Sequence, residues 1–536
     1  MRVAVGLCLL LWSGVGRAAD SGIAARLATE PAWSLSAQPG TPGAAAPRSS
    51  AGPAQTDAGV AAPLAVGALT FAGGWLRPDG GLVVAGHDGT APFLMDFGSR
   101  RRWRLEPREA GAWALVGSQP PASVTPAERG TRLVLREGGA GASPVELRQL
   151  SLRTEEVTFR SGNVILSGTL WLPTSEAPRA AVVLLHDTDT GTRRALEPYP
   201  AFLVHQGLAV LTYDRRGAGR SPATGQPWES GVREWVDDGL AAVRLLRERS
   251  GVREVGLMGF GQGAWVAVHA AARAPEAVGF LVLVSGGGDA LWKQEQHRLR
   301  NEARRRGLSG PEVVDLVEHV GTLHDARLYA PEREAKALKT LDFQLKRAKR
   351  RRWFAVSPLA GREDLPLPQL LEVQRAVWRN VLSYDPAEDL GRIRVPVLAL
   401  LGAEDAVTPA RSTARALSLG LQQGNGADAG ATRPLRGGTA AASAPTPPRS
   451  GAADVGDAGL PRSSAADAGA IKLPRSGAAD AGALRVTVKL LPGADHRLAL
   501  PPDAKRPGVE TMAEDVFPLL ETWLAGCRTE APPARA

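Results

Sequence analysis

Residues Glu254–His269 read EVGLMGFGQGAWVAVH, and the rest of the chain is organised around them. Glu254 to Phe260 form a short, mostly apolar run, and helix-forming residues follow from Ala264. Between them sits Gly259-Phe260-Gly261-Gln262-Gly263, a strand-to-helix turn with glycine at every second position. The pattern G-x-S-x-G in that setting presents a nucleophile. Its flanking glycines let strand and helix approach closely, and its central residue stands exposed on a strained turn. Here the central residue is Gly261. The pedestal is present and the attacking atom is missing.

Outward from this turn, apolar runs alternate with helical segments. Glu155–Arg160 and Val164–Leu172 read as an opening hairpin, Ala180–Leu185 as a buried strand, and Arg194–His205 as a helix. Leu208–Tyr213 is the next strand, Val232–Arg247 the next helix, and Val278–Ser285 a strand beyond the turn. The rhythm resumes at Val395–Leu401 and Leu484–Leu490, and an amphipathic helix at Ala513–Leu524 closes it. Such alternation specifies the α/β class, a mostly parallel, doubly wound sheet covered on both faces. The excursion over 288–390 is too long for a bare loop. Its charged helical pieces, Trp292–Arg306, Pro311–Thr322 and Pro368–Val381, predict a helical cap over the strand ends.

The N-terminal end reads differently. Arg2 precedes an apolar run from Val3 to Trp12, with small residues up to a cleavage site after Ala18 or Ala19. That is the form of a secretory signal over 1–19, and it implies export to the periplasm or the medium. The run is too short for a membrane span, which needs about 20 apolar residues. Removing it with Cys8 leaves Cys527, so no internal disulfide is expected. Residues 20–63 are Ala, Gly, Pro and Ser with few large apolar side chains, and read as a flexible linker. Residues 64–150 carry short strand-like pieces: Ala68–Phe71, Gly81–Val84, Trp103–Leu105, Ala112–Val116 and Thr131–Leu135. They predict a small β-rich domain, with His87-Asp88 as a turn rather than a ligand pair. From 151 to 536 runs the α/β domain. It is interrupted at 423–483 by a 13-residue repeat beginning at Pro448, Pro461 and Pro474, read as a disordered surface insertion.

The α/β region resembles secreted α/β-hydrolases of the carboxylesterase type. The resemblance is carried by MGFGQGAW at the turn, by Asp214-Arg215-Arg216-Gly217-Ala218-Gly219-Arg220-Ser221 after a strand, and by GAEDAVTP and PGADH near the end. The upstream β-rich segment also resembles the N-terminal domain of some such esterases. The resemblance implies a Ser-His-Asp triad, with Asp405 as acid and His496 as base. The acid would fix the imidazole tautomer and the histidine would take the nucleophile's proton. Glu404 and Asp495 are the nearest competitors, and motif spacing favours Asp405. The third member, at Gly261, has neither a hydroxyl nor a carboxylate. The family's His-Gly oxyanion stretch reads His186-Asp187-Thr188-Asp189-Thr190-Gly191 here. Asp187 would bring a carboxylate to developing negative charge, leaving the N–H of Gln262 as the one remaining donor.

Three readings stay open at this level. The first is a degenerate hydrolase that binds a small ester-like or acyl ligand. The second is a weakly active ester hydrolase using another nucleophile, Asp187, Asp189 or Ser285, or an activated water. The third is an envelope interaction protein. No cofactor and no metal are expected. His186, Asp187, Asp189 and His496 are chemically suited to a cation, but no ligand spacing supports one. The net charge of +9 comes from an Arg-rich composition, and the cluster Lys346–Arg352 lacks any nucleic-acid recognition motif. Oligomeric state is not legible.

Overall fold

The computed structural model describes residues 69–138, 143–174, 176–188, 191–252, 254–426 and 485–527. The expected signal at 1–19, the linker at 20–63, Asp189 and residues 427–483 of the insertion lie outside them.

Eight short strands build the first lobe: β1 (Gly73–Leu76), β2 (Leu82–His87), β3 (Pro92–Asp96), β4 (Arg101–Pro107), β5 (Trp113–Leu115), β6 (Ala122–Ala127), β7 (Arg132–Arg136) and β8 (Val145–Gln149). Every neighbouring pair is antiparallel, and the β1–β8 and β4–β5 pairings close the sheet into a barrel. The sequence pattern missed β1, β3, β6 and β8. The expected piece ending at Phe71 is a turn instead. In β2 the two faces have different partners. Val83 and Ala85 fill the barrel with Trp75, Leu94 and Trp103. Leu82 and Val84 point outward into a second core with Phe93, Met95 and Phe97. Both faces of the strand are therefore buried, which hides the alternation that marks a one-sided strand. At the β2–β3 turn Asp88 accepts from the N–H groups of Thr90 and Ala91, at 2.8 and 3.0 Å, so Asp88 heads the turn while His87 is the last residue of β2.

The second lobe is an eight-stranded sheet: β9 (Leu152–Ser161), β10 (Val164–Pro173), β11 (Ala180–Leu185), β12 (Leu208–Tyr213), β13 (Val255–Phe260), β14 (Leu281–Val284), β15 (Val397–Gly402) and β16 (Val486–Leu491). Their spatial order is β9-β10-β12-β11-β13-β14-β15-β16. β9 and β10 are antiparallel additions and the rest run parallel. In β11 every residue is buried. Ala181, Val183 and Leu185 face one core, and Ala180, Val182 and Leu184 the other. Helices α1 (Tyr199–His205), α2 (Val232–Ser250) and α3 (Gln262–Arg273) follow β11, β12 and β13. The helix expected from Arg194 is split: a 3-10 turn ends at Leu196 and α1 starts after Pro198, because proline disfavours helix at the residue before it.

The cap consists of α4 (Leu291–Arg305), α5 (Gly310–Leu323), α6 (Glu334–Ala348) and α7 (Leu367–Val377). Sequence reading missed α6. Its basic end is spent on local ion pairs: Arg347 and Arg351 meet Asp315, and Arg352 meets Glu312. After a short helix α8 (Ala387–Leu390) and β15, helix α9 (Ala410–Gly426) runs past Gln423, where the insertion was expected to begin.

One strand crosses the expected domain boundary. β17 (Val509–Thr511) pairs antiparallel with β4, so the C-terminal lobe lends an edge strand to the barrel. Helix α10 (Val516–Cys527) then packs Phe517 against Phe97, ring centroids 4.6 Å apart. Three residues are too few to show a strand period, which is why β17 was missed. Val509 is buried in the barrel core. Val509→Ala would remove two buried methyl groups from that core and cost about 2 kcal/mol. The expected result is a clear fall in the urea midpoint, while Lys505→Asp on the exposed neighbouring loop leaves the midpoint nearly unchanged.

Candidate functional site

The turn after β13 has the backbone expected of a nucleophile elbow. Gly261 holds φ 45° and ψ −114°, a region that L side chains rarely adopt. Its N–H donates to Val284 O at 2.8 Å, and its carbonyl accepts from the Ala264 N–H at 3.0 Å. A side chain at Gly263 would stand 2.7 Å from the Leu185 carbonyl carbon, so that glycine permits the approach of α3 to the sheet.

Asp405 follows β15 and His496 follows β16. The structure brings them together: His496 Nδ1 lies 2.8 Å from Asp405 Oδ2. Asp405 Oδ1 accepts from the N–H groups of Val407 and Thr408, at 2.7 and 2.8 Å. The competitors lie elsewhere. Glu404 is exposed, and Asp495 accepts from the N–H groups of Arg497 and Ala499 in its own loop.

Asp187 departs from the expectation. It does more than bring negative charge near the oxyanion position; it fills that position. Its Oδ2 lies 2.9 Å from His496 Nε2. Its Oδ1 accepts from the Gln262 N–H at 3.1 Å and the Thr188 N–H at 2.6 Å. A Cβ added to Gly261 would collide with the Asp187 carboxylate. The carboxylate thus occupies the space of the absent nucleophile, and the Gln262 donor expected to be free is engaged.

The electrostatics follow from the donor count. A neutral imidazole has one N–H and one lone pair, and an ionised carboxylate only accepts. With a carboxylate on each ring nitrogen, His496 carries both protons. Burial favours its neutral form, but the charges of Asp405 and Asp187 outweigh burial and hold its pKa well above the usual histidine range. Burial likewise pushes the Asp187 carboxyl up. The His496 charge and the hydrogen bonds from His496, Gln262 and Thr188 outweigh that and hold it well below the usual carboxylate range.

Supporting groups outside the expected triad and oxyanion residues fix this arrangement. Arg215 donates to Gln262 Oε1 at 3.0 Å and to Thr188 O at 3.2 Å, clamping both sides of the Asp187 cradle. From the cap, His297 Nε2 lies 3.1 Å from Asp405 O, and Asn301 donates to Ala406 O at 3.0 Å. Arg215 sits in the DRRGAGRS stretch, which flagged it; the cap contacts had no sequence signal. Ser285 is buried, its Oγ has no hydrogen-bond partner among the described residues, and its backbone carbonyl accepts from Thr408. It forms no hydrogen bond with His496 among the described residues. Buried His186 is held neutral, its pKa pushed down to about 3 first by burial and then by Arg215. Among the described residues no three His, Cys, Asp or Glu side chains form a group that could hold a metal ion.

Residues 176–422 match the family described as serine aminopeptidase, S33 (Hydrolase_4). That span runs from just before β11 into α9 and contains the elbow. The strand order and the placement of elbow, acid and histidine after β13, β15 and β16 agree with it. This part of the chain has the α/β-hydrolase fold. Among solved structures, the chain is similar to an esterase of Pyrococcus furiosus at 17% identity, covering 51% of this chain and 79% of that one, with a TM-score of 0.33. It is similar to a proline iminopeptidase of Mycobacterium smegmatis at 17% identity, covering 49% and 86%, with a TM-score of 0.32. A dienelactone hydrolase-like promiscuous phosphotriesterase from metagenomic libraries matches at 14% identity, over 70% and 96%, with a TM-score of 0.33. No curated protein matches the chain. Among the described residues no helix is long and apolar enough to cross a membrane.

The ion triad has a definite pH window. The raised His496 pKa contributes stability below the ordinary histidine pKa and loses it as pH climbs through the folded value. The depressed Asp187 pKa contributes above the ordinary aspartate pKa and loses it as pH falls through the folded value. The triad is therefore intact across neutral pH. Imidazole ¹H–¹⁵N correlation spectra should show His496 doubly protonated at pH 7, and Asp187→Asn should lower its pKa.

Proposed function

We propose that this protein is an exported, degenerate hydrolase of the carboxylic-ester-hydrolase type, whose acyl-transfer site is occupied by its own carboxylate. Any ester-like or acyl ligand it retains is bound without turnover. The observation that carries the reading is the position of Asp187, against Gly261, His496 and the Gln262 N–H together. Acyl transfer needs a nucleophile, a neutral imidazole to take its proton, and N–H donors aimed at the oxyanion. Asp187 interferes with all three. Losing the nucleophile costs on the order of 10⁶-fold in a triad hydrolase. Losing one oxyanion donor costs about 10²–10³-fold more. Export is supported by the signal-like pattern at 1–19.

The second reading keeps hydrolysis and makes Asp187 the nucleophile. It is favoured by the contact of Oδ2 with His496 Nε2, the place a serine hydroxyl would take, and by an Asp187 side chain that is 25% exposed. Against it, Oδ1 holds the donors that a substrate carbonyl would need.

Restoring the hydroxyl alone should fail, because Gly261→Ser drives a side chain into the Asp187 carboxylate. The native chain and Gly261→Ser are expected to leave p-nitrophenyl acetate unhydrolysed and to resist a fluorophosphonate probe. Gly261→Ser with Asp187→Gly, which clears the cradle and frees Gln262 N–H, should label with the probe. Labelling of the native chain would refute the proposal. Incorporation of ¹⁸O from labelled water into Asp187 during turnover of the native chain would establish the second reading instead.

A further inference from the structure

We propose that the cleft where β17 joins the barrel binds a small organic dianion, a phosphate monoester or a dicarboxylate. The inference is independent of the reading of the Asp187 site. The cleft encloses about 270 Å³, room for a ligand of metabolite size rather than a polymer. It lies between the start of β4 and the segment running from Leu500 through β17.

Its charge is unbalanced. Arg100, Arg101 and Arg506 line it against a single acid, Asp503. Three guanidinium groups less one carboxylate leave a formal charge of +2, which a dianion neutralises. By contrast Arg102, the next residue along β4, meets both Asp88 and Glu510. Arg101 and Arg506 make no ion pair or side-chain hydrogen bond among the described residues. Arg100 uses one donor, Nη1 to Met512 O at 3.3 Å, and the rest of its fork is free. Planar forks of this kind match carboxylate and phosphate oxygens bidentately.

Thr511, at the end of β17, lines the same cleft, and its hydroxyl can donate to an oxyanion alongside the arginines. Leu500, Pro501 and Val509 supply an apolar wall, so the ligand carries a short carbon body as well as its charge. The wall is backbone-tied to the strand that the lobes share, through the Leu500 N–H to Thr511 O at 2.7 Å. Binding should therefore stabilise the junction and raise the melting temperature.

Titration calorimetry of the full chain at physiological salt, with methyl phosphate and with succinate as separate probes, tests the site. The expected result is saturable one-to-one binding of at least one probe, with a rise in melting temperature; the tighter probe identifies the headgroup. Arg101→Ser with Arg506→Ser should weaken binding by at least about tenfold, the loss of charge-assisted bonds. Arg104→Ser, exposed further along the same strand, should leave it unchanged and controls for the basic surface. Arg101→Lys with Arg506→Lys guards against a folding defect: it keeps the charge and should still weaken binding through loss of the fork, at an unaltered melting temperature. Absence of binding by both probes at millimolar concentration, or equal binding by native chain and both double variants, would overturn the proposal.

Discussion

The contact on which the site depends is between the Asp187 carboxylate and the His496 imidazolium, 2.9 Å apart. It decides the protonation of His496, the occupancy of the Gln262 N–H and the space beside Gly261. In a working serine hydrolase the corresponding volume holds a hydroxyl, and a neutral imidazole receives its proton. A carboxylate there reverses the logic. It accepts where the hydroxyl would donate, so the ring must be charged, and a charged ring is no base. A buried ion pair offsets its desolvation only when its remaining lone pairs are satisfied. Here both outer carboxylates are: Asp405 by Val407 and Thr408, Asp187 by Thr188 and Gln262. The resting site is hydrogen-bonded internally and closed.

That closure is built from several elements. Arg215 reaches from the loop after β12 to hold both Thr188 and Gln262. The cap reaches down from α4, where His297 and Asn301 hold the loop carrying Asp405. The fixed positions of Asp187, Gln262 and Asp405 therefore come from three separate connections of the sheet plus the cap. A network tied at so many points specifies one arrangement more strongly than its individual bonds suggest. The cap, expected over the strand ends, also serves as a brace for the acid.

The hydrolase sheet was legible because its central strands are buried on both faces. Runs such as Ala180–Leu185 and Leu208–Tyr213 leave the residue string no alternative, and both appear as the strands β11 and β12. The barrel was half legible. β6 carries Pro126, and β8 alternates with few apolar residues (VELRQ), so neither looks like a strand in isolation. They become strands because the barrel pairs them on both sides, a tertiary effect on weak local propensity. β17 was illegible for a topological reason, since nothing local announces that three residues near the C-terminus pair with β4. At the site, the positions of Asp405, His496, Gly261 and Gln262 follow chain order and spacing, and those were readable. The destination of the Asp187 side chain was not. A carboxylate two residues after β11 could face solvent, the oxyanion position or the elbow, and the backbone path of Thr188 selects among them.

Glycine at the elbow and aspartate in the cradle are physically linked. A side chain at φ 45° and ψ −114° carries backbone strain of about 1–3 kcal/mol, which a serine hydrolase tolerates for the sake of its nucleophile. Glycine holds the same turn with little strain. It also opens the volume a carboxylate needs, because any Cβ at position 261 would collide with Asp187. In the reverse direction, Asp187 without glycine opposite would be forced away from His496 and the Gln262 N–H, and would lose the contacts that offset its burial. Each residue makes the other tolerable. The same two residues therefore relieve backbone strain at the turn and supply the contacts that offset burial of the carboxylate.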